Sequence, residues 1–330
     1  MLRWILVALI CAISSADEPG TPAPNEGKKH AHLWNYDKLG GPSKWGKMYP
    51  DNCGEQNHRQ SPVDIEKQAL TFVEDWDEIS LSYSNTDDET YSIVNNGHTV
   101  KVRVNGMLQI NGGGLGESFK IVQMHFHWGA DEDHGSEHLI DGKAFPLEMH
   151  MVSYDTGRFT NLKEALGGFN SLAVLGTLFT VSEEDNPAFE PIIRVLTEIK
   201  HKGDSTGLGK IDPSSLLPSD TSKFYRYDGS LTTPPCLENV IWTVFATEQT
   251  ISKNQLNKFR ECFQLGDEGE EMPLIDNYRP PQPLQGREIY SSFQPVAAVV
   301  NSDPSAQEGA ATIVKSSVVL LLCMVVMLFA

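Results

Sequence analysis

The sequence predicts a β-dominated α/β fold in a single domain. Six segments have the composition of strands, and only two segments have helical spacing. The chain has 330 residues, and both of its ends have the composition of removable segments. What remains is close to the roughly 200–250 residues that one β-rich domain often contains.

The predicted strands are rich in β-branched and aromatic residues, which suit a pleated, half-buried surface. They cover residues 91–94, 99–104, 119–128, 147–154, 172–181 and 240–246.

Two segments predict helices. The first runs from an N-cap at Asn186 to Lys200, with a proline in its first turn. The second runs to Phe263 and begins where Ser252 and Gln255 can form a capping box.

The N-terminus has the features of a secretory signal peptide. Residues 1–16 contain Arg3, an apolar run and then Ser-Ser-Ala, which suits cleavage before Asp17. Residues 17–29 are rich in proline and glycine and predict a flexible leader. We therefore expect an extracellular protein.

The C-terminal tail, residues 317–330, is apolar and ends without a charged residue. A membrane-spanning helix needs about 20 apolar residues and a polar flank beyond them. The tail favours a glycosylphosphatidylinositol (GPI) anchor signal over a short tail-anchored helix, with residues 296–316 as linker and attachment region. The mature protein would then be tethered to the outer face of the plasma membrane.

The charge and composition of the chain are those of a globular domain that does not bind nucleic acid. A net charge of −18 argues against nucleic acid as a partner, and 40% hydrophobic residues suffice for a core.

Without both ends, the remaining cysteines are Cys53, Cys236 and Cys262. An oxidising compartment favours one disulfide among them.

Residues 119–128 place two imidazoles on one face of a strand. Side chains alternate between faces, so Gln123, His125 and His127 point the same way. Two core histidines satisfied by hydrogen bonds would have the same pattern, so a third ligand decides between the two interpretations.

Residues 147–154 supply that ligand, because Glu148 and His150 share a face of another strand. Three histidines are typical of catalytic zinc sites, which keep a fourth position open. Gln123 and Glu148 each precede a histidine by two residues, so either could accept a hydrogen bond from a ligand ring. The His-Glu-x-x-His motif of zinc peptidases is absent from the sequence.

These histidine strands and several other segments resemble the alpha-class carbonic anhydrases, in order and spacing, from about residue 34 to residue 293. The other segments are Gln-Ser-Pro-Val-Asp-Ile at 60–65, Asn-Asn-Gly-His at 95–98, Gly-Ser-Glu-His at 135–138, Gly-Ser-Leu-Thr-Thr-Pro-Pro at 229–235 and Asp-Asn-Tyr-Arg-Pro at 276–280.

The resemblance implies a catalytic domain over residues 30–295 with a large, mostly antiparallel, twisted central sheet and short surface helices. It also implies a zinc lyase that reversibly hydrates carbon dioxide to bicarbonate and a proton, through a zinc-bound hydroxide and a histidine proton shuttle. The alternative is a catalytically weak binding module with the same fold at the cell surface. Inactive relatives typically lose a zinc histidine, whereas all three are present here.

The resemblance assigns further roles residue by residue. His98 matches the proton shuttle, and Glu137 and Thr232 match the pair that orients the hydroxide. The remaining matches are Tyr36 and Asn96 in the proton relay, Asn277 beside the ligands, Val152, Val174, Leu231, Thr232, Thr233 and Trp242 at the substrate, and Cys53 paired with Cys236. Cys262 would then be a packed free thiol or an intermolecular link. Lys101 departs from the family, in which many members carry Asn or Gln.

Overall fold

The computed structural model describes residues 34–83, 90–116, 119–266 and 269–294. The predicted signal peptide, leader, attachment region and apolar tail all lie outside these ranges. Within them, no helix combines the length and the apolar character needed to cross a bilayer.

Strands make up most of the described regular structure. In chain order they are β1 Asp64–Ile65, β2 Leu70–Phe72, β3 Ser80–Tyr83, β4 Thr90–Asn95, β5 Val100–Asn105, β6 Leu108–Asn111, β7 Phe119–Trp128, β8 Leu139–Ile140, β9 Leu147–Asp155, β10 Leu172–Ser182, β11 Ser205–Gly209, β12 Phe224–Gly229, β13 Val240–Phe245, β14 Gln249–Ser252, β15 Phe263–Leu265, β16 Glu271–Pro273 and β17 Ile289–Ser291. All six predicted strands are confirmed, with bounds that differ by a residue or so.

One sheet of 13 described strands dominates, and its main path runs β11-β4-β5-β7-β9-β10-β13-β12-β17-β2. Most neighbours are antiparallel, while β10 runs parallel to β13 and β14, and β17 runs parallel to β2. The expected fold, a large and mostly antiparallel central sheet in one domain, is confirmed.

The α-helices are short: α1 Pro42–Met48, α2 Pro50–Cys53, α3 Leu162–Ala165, α4 Glu190–Val195 and α5 Lys253–Arg260. Single turns of 3₁₀ helix cover Lys67–Ala69, Pro187–Phe189, Leu196–Glu198 and Pro213–Leu216.

Both predicted helices form but are shorter than expected. Asn186 caps its segment by accepting from the N–H of Ala188, yet only α4 is α-helical between two 3₁₀ turns. Pro191 explains the break, since proline lacks an N–H and fits only the first turn of an α-helix. The capping box at α5 is confirmed, whereas Phe263 leaves the helix and pairs with Pro273 in β15 and β16.

The two faces of the central sheet have different neighbours. On β7, the side chains of Met124, Phe126 and Trp128 are fully buried in the larger hydrophobic core, which α5 helps to cover. The opposite face of β7 carries His125 and His127. The core therefore holds the strand in place from behind the candidate site.

A disulfide joins Cys53, at the end of α2, to Cys236, in the loop after β12, as the resemblance implied. Cys262 is a buried free thiol packed in the larger core. Of its two expected states, the structure therefore shows the packed thiol.

Candidate active site

Three histidines meet on one face of the central sheet. The register of β7 and β9 places His125 directly opposite His150, and His127 follows two residues later on the same face. His127 and His150 are each only 1% exposed. Sheet pairing thus brings together the three side chains that the sequence predicts as metal ligands.

Two of the rings are oriented by acceptors on their Nδ1 side. His125 Nδ1 lies 2.9 Å from Gln123 Oε1, and His127 Nδ1 lies 2.7 Å from the backbone oxygen of Asn277. An amide oxygen can only accept, so each ring donates from Nδ1 and keeps a lone pair on Nε2. Gln123 and Asn277 thereby select the tautomer that leaves Nε2 free to bind a metal.

The third ring is oriented in the opposite sense. His150 Nε2 lies 2.7 Å from Glu148 Oε1, which leaves the lone pair on Nδ1. The same oxygen accepts from His138 Nδ1 at 2.7 Å, and Glu148 Oε2 accepts from the backbone N–H groups of Glu137 and His138. Burial raises the pKa of Glu148, but the two imidazoles outweigh it and hold the pKa well below its usual value.

The free nitrogens fit zinc. The three ligand atoms lie within 4.8 Å of one another, and His150 Nδ1 is 3.3 Å from His125 Nε2. Tetrahedral zinc–nitrogen bonds of roughly 2.0–2.1 Å separate two ligand nitrogens by roughly 3.3 Å. His127 Nε2 is buried and has no hydrogen-bond partner among the described residues, which a metal bond would supply. Burial, before any other cause, lowers the pKa of all three rings, so the neutral forms that bind metals are favoured.

A second cluster, formed by His138, Glu148 and His150, has the composition of a metal site but a different role. Its 2.7 Å contacts are hydrogen bonds from two rings to one carboxylate oxygen. His138 is itself held on its other side, where Nε2 lies 2.7 Å from the Tyr227 hydroxyl. The cluster therefore fixes the orientation of His150.

Glu137 lies next to the ligands and is fully buried. Its Oε2 is 3.4 Å from His127 Nε2, and its Oε1 accepts from the backbone N–H of Arg279 at 2.8 Å. Burial and the charge of Glu148 raise the pKa of Glu137 well above its usual value, while hydrogen bonding from the Thr232 hydroxyl acts in the opposite direction. Oε2 has no partner at ordinary hydrogen-bond geometry among the described residues. A bound dication would favour the ionised carboxylate.

The loop that carries Thr232 is held at its base by hydroxyl groups. The backbone N–H of Ser61 donates to Ser230 Oγ at 2.9 Å, and the N–H of Ser230 donates to Ser61 Oγ at 3.0 Å. Trp242 Nε1 donates to the backbone oxygen of Ser230 at 2.9 Å. The disulfide at Cys236 fixes the other end of the loop.

A cavity of about 400 Å³ opens onto the three histidines. All the predicted substrate-binding residues line it: Val152, Val174, Leu231 and Trp242 form an apolar wall, and Thr232 and Thr233 are polar. Val152 pairs with Val174, and Val174 pairs with Trp242, so this wall is continuous across three strands.

His98 lines the same cavity but stacks on Trp34, with ring centroids 3.9 Å apart. Asn96 Oδ1 accepts from the N–H groups of His98 and Thr99 and shapes the turn. Burial, then the charges of Lys202 and Lys101, lowers the pKa of His98 to about 3. Tyr36 also lines the cavity and contacts Trp34 edge-on, and burial raises its pKa well above the usual value.

Comparison with known proteins agrees with this geometry. The sequence pattern of the eukaryotic-type carbonic anhydrases matches residues 40–293. The chain belongs to this family. It is 36% identical over 266 residues to carbonic anhydrase 7 of Mus musculus and of Homo sapiens, covering 80% of this chain and 98% of each relative. Carbonic anhydrase 1 of Mus musculus is 35% identical over 263 residues, covering 79% of this chain and 98% of the relative.

Three polar residues of this carbonic anhydrase have functional positions that the sequence analysis does not assign. His138 donates to the same Glu148 oxygen as His150, Tyr227 contacts the other ring nitrogen of His138, and the backbone N–H of Arg279 donates to Glu137. His138 and Arg279 lie within segments that resemble the family, so the resemblance could have identified them. Tyr227 lies just outside such a segment, so the sequence offered no signal for it.

Proposed function

We propose that this carbonic anhydrase is a zinc enzyme that interconverts carbon dioxide and water with bicarbonate and a proton. The observation that carries the proposal is the convergence of three imidazole nitrogens whose opposite ring nitrogens are each bound to an acceptor. Family membership supports the substrate, and the neutral imidazole set supports zinc as the metal.

His125, His127 and His150 would hold the zinc ion, which would supply hydroxide near neutral pH because three neutral imidazole ligands allow it to lower the pKa of a coordinated water to about 7. The protein's part is to hold His125, His127 and His150 in the correct tautomers before the metal binds. Neutral ligands leave the full positive charge on the metal, whereas carboxylate ligands would reduce it.

Thr232 and Glu137 orient the attacking group. When the Thr232 hydroxyl donates to the Glu137 carboxylate, its oxygen can only accept a hydrogen bond at the reacting centre. The Arg279 N–H and the hydroxyl-anchored loop keep both groups in place. Such orientation removes rotational freedom before reaction, which is a large part of catalysis at a small substrate.

The apolar wall accommodates carbon dioxide. Val152 and Val174 are 7% and 2% exposed and offer no hydrogen bond, so water next to them is poorly held and a small apolar molecule displaces it readily. Addition of hydroxide to carbon dioxide would form one C–O bond, shift a C=O electron pair onto oxygen and give bicarbonate, whose charge is unfavourable against this wall.

His98 carries the released proton towards solvent. Its imidazole has an ordinary pKa of 6.5 when exposed, which suits transfer near neutral pH. In the stacked position the pKa is far lower, so transfer requires the ring to leave Trp34. Tyr36 and Asn96 line the same cavity as His98 and the ligands, and in this proposal they order the relaying water.

We propose an extracellular, membrane-tethered location, with residues 1–16 as signal peptide, residues 17–29 as leader, residues 30–295 as the catalytic domain and residues 296–330 as attachment region and anchor signal. The disulfide supports an oxidising compartment. Release of the protein from cells by a phosphatidylinositol-specific phospholipase tests the anchor. Retention after treatment would favour a tail-anchored helix.

Stopped-flow carbon dioxide hydration by the zinc-loaded protein tests the activity. We expect rapid turnover that is lost in His125→Ala and kept in His58→Ala, an exposed histidine outside the cavity. His98→Ala should slow turnover until imidazole buffer restores it. A wild-type rate equal to that of His125→Ala, with zinc bound, would leave the binding-module alternative.

A further inference from the structure

Two cationic side chains line the cavity beside the ligand histidines. Lys101 and Arg103 alternate with buried valines on β5, so they share a face and lie roughly 7 Å apart along the strand. The register pairs Lys101 with His125 and Arg103 with Gln123, and both cations line the cavity. Their side chains thus extend the face that carries the ligands.

Among the residues that the structure describes, neither cation has a protein counter-ion. The ion pairs and side-chain hydrogen bonds among the described residues include no carboxylate partner for Lys101 or Arg103. Burial, then the charge of Arg103, lowers the pKa of Lys101.

The neighbouring wall is apolar, and its position relative to the cations is set by the sheet. One row runs across the strands from Arg103 through Gln123 to Val152 and Val174. Strands lie about 4.8 Å apart, which places Val152 roughly 10 Å from Arg103. A ligand that satisfies both features needs an anionic group joined to an apolar body of about that length.

We propose that Lys101 and Arg103 form an anion-binding subsite that takes organic carboxylates, with the carboxylate against the two cations and the apolar body against Val152. The fork of Arg103 suits a planar carboxylate, and Lys101 adds a second charge. Carbon dioxide is uncharged and gains nothing from such a pair. The subsite is therefore a feature of ligand recognition that goes beyond the proposed hydration.

Calorimetric titration of the zinc-loaded mature protein with benzoate, and with benzamide as the uncharged analogue, tests the subsite. Benzoate should bind the wild type more tightly than benzamide, and its affinity should fall as salt rises. Lys101→Gln/Arg103→Gln should weaken benzoate at least about tenfold, since each bond to a charged group is worth a factor of that order. The affinity for benzamide should not change.

Lys120→Gln/Arg194→Gln is the matched control, because it removes the same two charge types from positions outside the cavity lining. Equal benzoate affinity in this control and in Lys101→Gln/Arg103→Gln would overturn the proposal. So would loss of benzoate binding when the zinc is removed by a chelator, because the carboxylate would then be a metal ligand. These titrations do not measure turnover, so they are independent of whether the protein hydrates carbon dioxide.

Discussion

Trp34→Ala is expected to raise the pKa of His98. In the structure the two rings stack with an interplanar angle of 15°, and His98 Nδ1 is buried without a hydrogen-bond partner among the described residues. Burial is the main cause of a pKa of about 3 in this position, ahead of the charges of Lys202 and Lys101. Removing the indole exposes one face of the imidazole and should reverse part of that shift.

The free energy behind this pKa shift follows from comparison with the ordinary pKa of histidine. The fall from 6.5 to about 3 means that protonating the stacked ring costs about 5 kcal/mol more than protonating a free one, at 1.36 kcal/mol per unit. If leaving Trp34 costs less than this, the ring leaves when it is protonated. The measured pKa then lies between the two values, and its distance below 6.5 gives the free energy of leaving.

The lowered pKa of His98 also determines how this residue changes the stability of the fold with pH. Because folding lowers the pKa of His98, the unfolded chain binds more protons between pH 6.5 and about 3. This group's contribution to the free energy of unfolding is therefore complete above about pH 6.5 and is lost as the pH falls towards 3.

NMR titration of the ring carbons in ¹³C-histidine-labelled protein measures the pKa, with His98→Ala to assign the signal. Wild type should titrate clearly below 6.5, Trp34→Ala at least about one unit higher, and Trp34→Phe close to wild type because it keeps a stacking ring. A wild-type pKa near 6.5 that Trp34→Ala leaves unchanged would show that the stacked position is not the populated one.

Four further changes test other parts of the structure. Glu148→Gln removes the charge that holds His150, and zinc affinity measured against a competing chelator should fall roughly 10–100-fold. Thr232→Val should slow hydration roughly a hundredfold at unchanged zinc content, whereas Thr232→Ser should largely retain the rate. Cys53→Ala/Cys236→Ala opens a link across 183 residues, and urea unfolding should show a loss of up to about 5 kcal/mol. Gly97→Ala should cost about 1–2 kcal/mol in the same assay, because Gly97 has φ +84°.

The sequence predicts the strands of the site well, because alternation reports directly which side chains share a face. It places Gln123, His125 and His127 on one face of β7 and His150 on one face of β9. It does not show that β7 and β9 are neighbours, or that His125 lies opposite His150, since register depends on the whole sheet.

Local patterns are less reliable where tertiary contacts compete with them. The spacing from Asn186 to Lys200 suits one helix, but Pro191 and packing leave a short α-helix between 3₁₀ turns. Phe263 continues the apolar stripe of α5, yet its N–H donates to the backbone oxygen of Lys200 and it pairs in a small sheet. Neither partner is visible from residues nearby in sequence.

The site divides into a part fixed by the sheet and a part fixed by loops. His125 and His150 are paired across β7 and β9, and the next position on β10 is Gly176, where a Cβ would lie 3.3 Å from Glu148 Oε1. A slip of β9 by one residue would turn His150 to the other face, so metal ligands and the apolar wall should fail together. Thr232 comes from a loop that is anchored separately. Changes in that loop should therefore reduce turnover while zinc stays bound.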